Sequence, residues 1–298
     1  MTSFRQKLQT VWDERKFVCV GLDSDLNHPK FPSSVPSHPW AERVVNLSGD
    51  GLKQLSFNCA IVDATKDLVM AYKPNLAFYR GGEGKQVLKL TIRYIREVAP
   101  DVLIILDAKQ ADIDNTNDGY VAEDFDYYGS DAVTVHPYLG AQAMKPFLNC
   151  EDKGVIVLIR TSNEGAGEFQ DQPVPSPDGN GTIPLYQLVA HNVSRLWNNN
   201  GNCAGVVGAT YPTELAQVRQ IVGDGFPILI PGIGAQGGDL EATVLAGRDS
   251  SGQGMIINNS RGVIFASSGE DFAAAARISH AGPPTTIGAA CSTPTRRA

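Results

Sequence analysis

A chain of 298 residues, 42% hydrophobic and 19% charged, holds enough apolar material for one large folded unit, and no apolar run reaches the ~20 residues of a membrane span. Its net charge of −7 argues against a sequence-independent grip on nucleic acid, which needs a basic face. Cys19, Cys59, Cys150, Cys203 and Cys291 are odd in number, widely spaced and form no C-x-x-C pair, so they read as reduced thiols of a cytoplasmic protein.

Met1 to Lys16 mixes Arg5, Lys7, Asp13, Glu14 and Arg15 with scattered apolar residues; it lacks the apolar core of a secretory signal and reads as a first helix. Eight runs rich in Val, Ile and Leu follow, separated by helical patterns. They are residues 17–23, 68–75, 102–109, 132–136, 155–160, 204–209, 227–231 and 255–260. Near-continuous apolar strands suit a parallel sheet buried on both faces. Between them, Leu88, Ile92, Ile95 and Ala99 recur at helical spacing until Pro100, and Leu185, Leu188, Asn192 and Leu196 do so behind Pro184. Eight strand–helix units predict an α/β fold, a single (β/α)8 TIM barrel over residues 1–280. The competing open doubly wound sheet would not need eight strands, and no G-x-G-x-x-G follows the first one.

Two connections are long. Residues 24–49, after the first strand, carry Pro29, Pro32, Pro36 and Pro39, and residues 161–183, after the fifth, are rich in Gly, Pro, Asp and Gln. Both leave the C-terminal ends of strands, where barrel enzymes keep their active sites, so they read as lids. Residues 281–298 have little apolar content and read as a mobile tail.

The chemistry concentrates at the strand ends. Asp107 and Lys109 sit two apart in LDAKQADIDNT, so on an extended strand both face one side. Burying them together is costly unless they pair or serve a purpose. Asp112 lies just past the strand. Asp23 closes the first strand and Lys73 the second, which places two lysines and three aspartates at neighbouring strand ends. A structural ion pair with loop charges remains the plain alternative. After the seventh strand comes the glycine-rich PGIGAQGGD, and Arg261 follows the eighth in NNSRG; these loops are the usual phosphate site of such barrels. His136 ends the fourth strand and reads as a wall residue, while His28, His38, His191 and His280 show no metal-ligand spacing.

With these residues in view, the chain resembles the orotidine 5′-monophosphate decarboxylase family, in its long-chain bacterial branch. The hallmark D-x-K-x-x-D-I-x-x-T stands unbroken as Asp107, Lys109, Asp112, Ile113 and Thr116. GLDSD, KPNLAFY, VHPYLG, RTSNEG, PGIGAQGGD and NNSRG occur in family order. The resemblance implies a cofactor-free homodimeric carboxy-lyase that makes uridine 5′-monophosphate in pyrimidine biosynthesis. It implies that Asp23 holds ribose hydroxyls, that Lys73 bridges ribose and Asp107, and that Asp107 and Lys109 flank the reacting carbon. Asp112 and Thr116 would enter the partner's site, Ser162 would read the pyrimidine edge, and Gln236 and Arg261 would hold the phosphate beside backbone amides near Pro231 and Ser260. One departure is Glu164, which follows Asn163 where the family commonly has Pro. Two rivals share the barrel: a Mg2+-dependent sugar-phosphate decarboxylase or synthase, and a non-catalytic phosphonucleotide binder.

Overall fold

The computed structural model describes residues 2–43, 47–233 and 239–280. Its eight parallel strands close into a barrel in simple sequence order, the first pairing with the eighth. They are Val18–Leu22, Ala71–Pro74, Leu103–Gln110, Ala132–Val135, Gly154–Arg160, Cys203–Val207, Ile228–Ile230 and Met255–Asn259. Every expected strand is present, with ends moved by at most a few residues. Closure leaves no strand edge exposed, and β-branched and leucine side chains such as Val20, Ile104, Ile156 and Ile256 are fully buried. Among the described residues no helix is long and apolar enough to cross a membrane.

Helix Phe4–Asp13 is set by a capping box, in which the Ser3 hydroxyl accepts from the Gln6 backbone and Gln6 reaches back to Ser3. It closes the N-terminal mouth of the barrel. The Phe4 amide donates to the Asp152 carbonyl, and the Trp12 indole donates to that of Met255 at 2.9 Å; both acceptors lie at or beside the starts of strands. A side chain at Gly154 would collide with the Phe4 ring, so the fifth strand begins on glycine. With that end sealed, the C-terminal mouth is left for the site.

The long connections are partly ordered by structure that their composition does not announce. Residues 24–43 include helix Pro39–Arg43, which buries Trp40. The connection after the fifth strand folds into a 3-10 turn Glu164–Ala166, helix Gly167–Gln170 and an antiparallel hairpin pairing Pro173–Pro175 with Thr182–Pro184. Asn163 sits at φ −72° and ψ 148°, the extended conformation that a following proline would favour, so Glu164 stands there without altering the backbone entry to the turn. Cys19, Cys59, Cys150 and Cys203 are free thiols. The expected tail, residues 281–298, lies outside the described residues.

Candidate active site

The site forms because a buried carboxylate needs cations and the barrel brings two to it. Asp107, 6% exposed, receives the Lys73 ammonium on Oδ2 at 2.6 Å and the Lys109 ammonium on Oδ1 at 2.5 Å. Lys73 comes from the second strand, and is itself only 4% exposed. Burial is the largest single influence on the Asp107 carboxyl and pushes its pKa up, but the two lysines together outweigh it and hold it well below the usual carboxylate range. Lys73 mirrors this: burial favours the neutral amine, and the Asp107 and Asp23 carboxylates reverse it and keep the charge. Lys109 is different in kind, its side chain being 48% exposed toward the mouth.

The strand carrying Asp107 and Lys109 is not regular. Pairing with the fourth strand runs Leu106 to Val133 and then resumes at Gln110 with Val135, four steps against two. The bulge holds Asp107, Ala108 and Lys109, and Lys109 takes a left-handed φ of 49°. A non-glycine residue there costs on the order of 1–3 kcal/mol. The simple two-residue alternation therefore does not bring the pair together; a bulge that re-aims the side chains does. The Lys109 backbone N–H, out of the ladder, donates to the Thr134 hydroxyl at 3.0 Å, and that hydroxyl donates to Asp107 Oδ1 at 2.9 Å.

These residues line a cavity of about 510 Å³ at the C-terminal mouth, a size typical of small-molecule sites. Asp23, Lys73, Asp107, Lys109, Ser162, Pro231, Ser260 and Arg261 all line it. The Asp23 Oδ1 atom is buried without a hydrogen-bond partner among the described residues, an unsatisfied acceptor on a residue that lines the cavity. Gln236 lies outside the described residues. Asp112 and Thr116 do not line the cavity of their own chain; Asp112 is half-buried and Thr116 exposed. Asn117 fixes the Asp112 backbone from both sides, accepting from its N–H at 2.8 Å and donating to its carbonyl at 2.6 Å, while also donating to Ala143. His136 is half-buried and absent from the lining. Among the described residues no three His, Cys, Asp or Glu side chains converge as a metal site would require.

Sequence reasoning missed six polar lining residues: Thr134, Thr161, Asn163, Gln170, Asn258 and Asn259. Thr134 interrupts the apolar run AVTV, and that interruption was the available signal. Gln170 gave none, because its reach depends on how the long connection folds. Its Oε1 accepts from the Thr161 backbone and its Nε2 donates to the Thr161 hydroxyl, both at 2.9 Å, and so it anchors the residue before Ser162. Gly208 matters for the same loop, since a Cβ there would lie 2.7 Å from that of Ser162.

A closed parallel barrel whose C-terminal mouth gathers a Lys–Asp–Lys cluster at a small-molecule cavity has the architecture of a barrel enzyme. Within that class, this chain belongs to the orotidine 5′-phosphate decarboxylase / HUMPS family, whose sequence pattern matches residues 17–278. It is 48% identical over 276 residues to the orotidine 5′-phosphate decarboxylase of Janthinobacterium sp. (strain Marseille), covering 92% of this chain and 94% of that one. The enzyme of the same name from Cellvibrio japonicus is 46% identical, with the same coverage. Among solved structures, Leishmania donovani OMP decarboxylase superposes with a TM-score of 0.78 at 32% identity, covering 98% of this chain and 100% of that one.

Proposed function

We propose that this protein converts orotidine 5′-monophosphate to uridine 5′-monophosphate and CO2, working as a homodimer and without a metal or organic cofactor. The observation that carries this reading is the Asp107 carboxylate, with one oxygen on Lys73 and the other on Lys109. Each of its oxygens already faces an ammonium group, and a divalent cation set beside those two would meet like-charge repulsion, which disfavours the Mg2+ of the rival sugar-phosphate chemistry. A mere nucleotide binder has no need to bury this much charge.

The reaction breaks the bond from C6 to the carboxyl carbon and leaves the electron pair on C6 in the ring plane. The ring does not delocalise that pair, so electrostatics must lower the barrier. Lys109, half-exposed at the cavity, stabilises the developing charge and then gives one ammonium proton to C6; the resulting neutral amine recovers a proton from solvent. Asp107 holds that ammonium in place through Oδ1. It also faces the substrate carboxylate, and like charges ~4 Å apart at an effective dielectric near 20 repel by about 4 kcal/mol. That is a minor share of the roughly 8–23 kcal/mol by which enzymes lower barriers, so binding of the remote phosphate carries more. Arg261, Gln236 and the backbone near Pro231 and Ser260 hold that phosphate, the orphaned Asp23 oxygen takes a ribose hydroxyl, and Ser162 reads the pyrimidine edge.

Asp112 and Thr116 act in the partner's site. Their position off their own cavity supports this, as do exposed Ile113, Tyr138 and Leu139 on the loops after the third and fourth strands, apolar side chains suited to a subunit contact. Four free thiols fit a reducing cytoplasm. The test is the fall in orotidylate absorbance on adding enzyme, before and after exhaustive EDTA treatment. Turnover that survives EDTA is expected; no turnover, or turnover lost with EDTA and restored by Mg2+, overturns the reading.

A further inference from the structure

The bulge in the third strand sets a problem that one side chain solves. Two residues inserted between Leu106 and Gln110 take the Lys109 N–H out of the strand ladder and leave Lys109 in a left-handed conformation, at φ 49°. A backbone donor at the rim of a barrel must find an acceptor, and a left-handed lysine must be held. Thr134, 1% exposed on the adjacent strand, does both with one hydroxyl: it accepts from Lys109 N–H at 3.0 Å and donates to Asp107 Oδ1 at 2.9 Å.

We propose that Thr134 is a positioning residue, whose hydroxyl closes the bulge and fixes the plane of the Asp107 carboxylate between Lys73 and Lys109. A hydroxyl is suited to this because it accepts and donates at once. Valine has the same shape and does neither, and serine keeps both. The inference deepens the decarboxylase reading and rests on it for its kinetic readout. In that reading Lys109 becomes a neutral amine once its proton has moved to C6, and Asp107 Oδ1 then loses its cation. The Thr134 O–H is the donor that stays on the same oxygen, so the carboxylate does not swing while Lys109 is uncharged. Its contribution is made in the chemical step, not in holding phosphate or ribose.

The experiment compares Thr134→Val and Thr134→Ser with the natural protein. Thr134→Val lowers kcat by on the order of 10- to 100-fold, as loss of a hydrogen bond to a charged group predicts, with KM and uridine 5′-monophosphate affinity within about threefold. Thr134→Ser restores kcat to within about threefold. A wild-type kcat in Thr134→Val overturns the proposal. So does an equal fall in Thr134→Ser, or a loss that appears in KM and product affinity instead of kcat. If Thr134→Val does not fold, Thr134→Cys keeps the volume with a weaker donor, and a natural kcat in that variant overturns the proposal. A crystal structure of the Val variant gives a readout independent of activity: Lys109 leaves the left-handed region or the Asp107 carboxylate rotates, and unchanged geometry counts against it. Absence of turnover in the natural protein would sink the decarboxylase reading alone, because the crystallographic comparison still decides for or against Thr134.

Discussion

Replacing Asp107 by Asn keeps the side-chain shape and removes the charge on which two lysines depend. Lys73 matters most for stability: its ammonium is 2.6 Å from Asp107 Oδ2 and the residue is 4% exposed. At an effective dielectric near 20, unit charges at that distance attract by roughly 6 kcal/mol, and removing one member of a buried pair costs about 3–5 kcal/mol. Lys109 adds little to this cost, since its half-exposed ammonium returns to water. At about 2–4 °C per kcal/mol for a chain of this size, Asp107→Asn melts on the order of 10 °C below the natural protein. The sign of the pH dependence follows from the depressed Asp107 pKa. Its stabilisation is fully present above the unfolded carboxylate value of ~3.9 and is lost only as pH falls through the lower folded value. The gap between the two proteins is therefore constant from about pH 5 to 8 and closes only in strong acid. Adding Lys73→Met removes the stranded charge, so the double variant recovers most of the lost melting temperature while orotidylate turnover stays absent. Thermal unfolding followed by circular dichroism, with the absorbance assay in parallel, separates the two effects. If Asp107→Asn melts within about 2 °C of the natural protein, or if Lys73→Met recovers nothing, the buried-pair argument is wrong.

Two further outcomes are expected. Mixed subunits of Lys109→Ala and Asp112→Asn, each inactive alone, regain activity because one site of each heterodimer is intact; no recovery after verified exchange would place Asp112 in its own chain's site. Asp124, buried and with Gln110 donating to it at 2.5 Å, has its carboxyl pushed up to about 7, mainly by burial and further by Glu123. Its folded pKa lies above the unfolded one, so it destabilises the fold increasingly as pH rises from about 4 to 7. Asp124→Asn is therefore more stable than the natural protein at pH 8, by at most about 4 kcal/mol, and equal to it at pH 4; denaturant titration at the two pH values reads this directly.

The strands, the barrel and the strand-end charges were legible because burial on both faces of a parallel sheet demands near-continuous Val, Ile and Leu, and a polar residue ending such a run stands out. Asp23, Lys73, Asp107 and Lys109 stand out on that basis and Arg261 by its place in the loop after the eighth strand, while the family pattern from Asp107 to Thr116 points to the chemistry. The tertiary structure decided what spacing does not encode. Alternation along an ideal strand puts Asp107 and Lys109 on one side, yet their contact arises from a two-residue bulge and a left-handed Lys109, both matters of register against the fourth strand. Thr134 and Gln170 become part of the site only when that register and the folded connection after the fifth strand bring their polar atoms to Asp107 and Thr161. A hydrogen bond between residues far apart in sequence depends on ångström-scale placement, and closing the barrel sets that placement, whereas the pattern along the chain records only which faces must leave water.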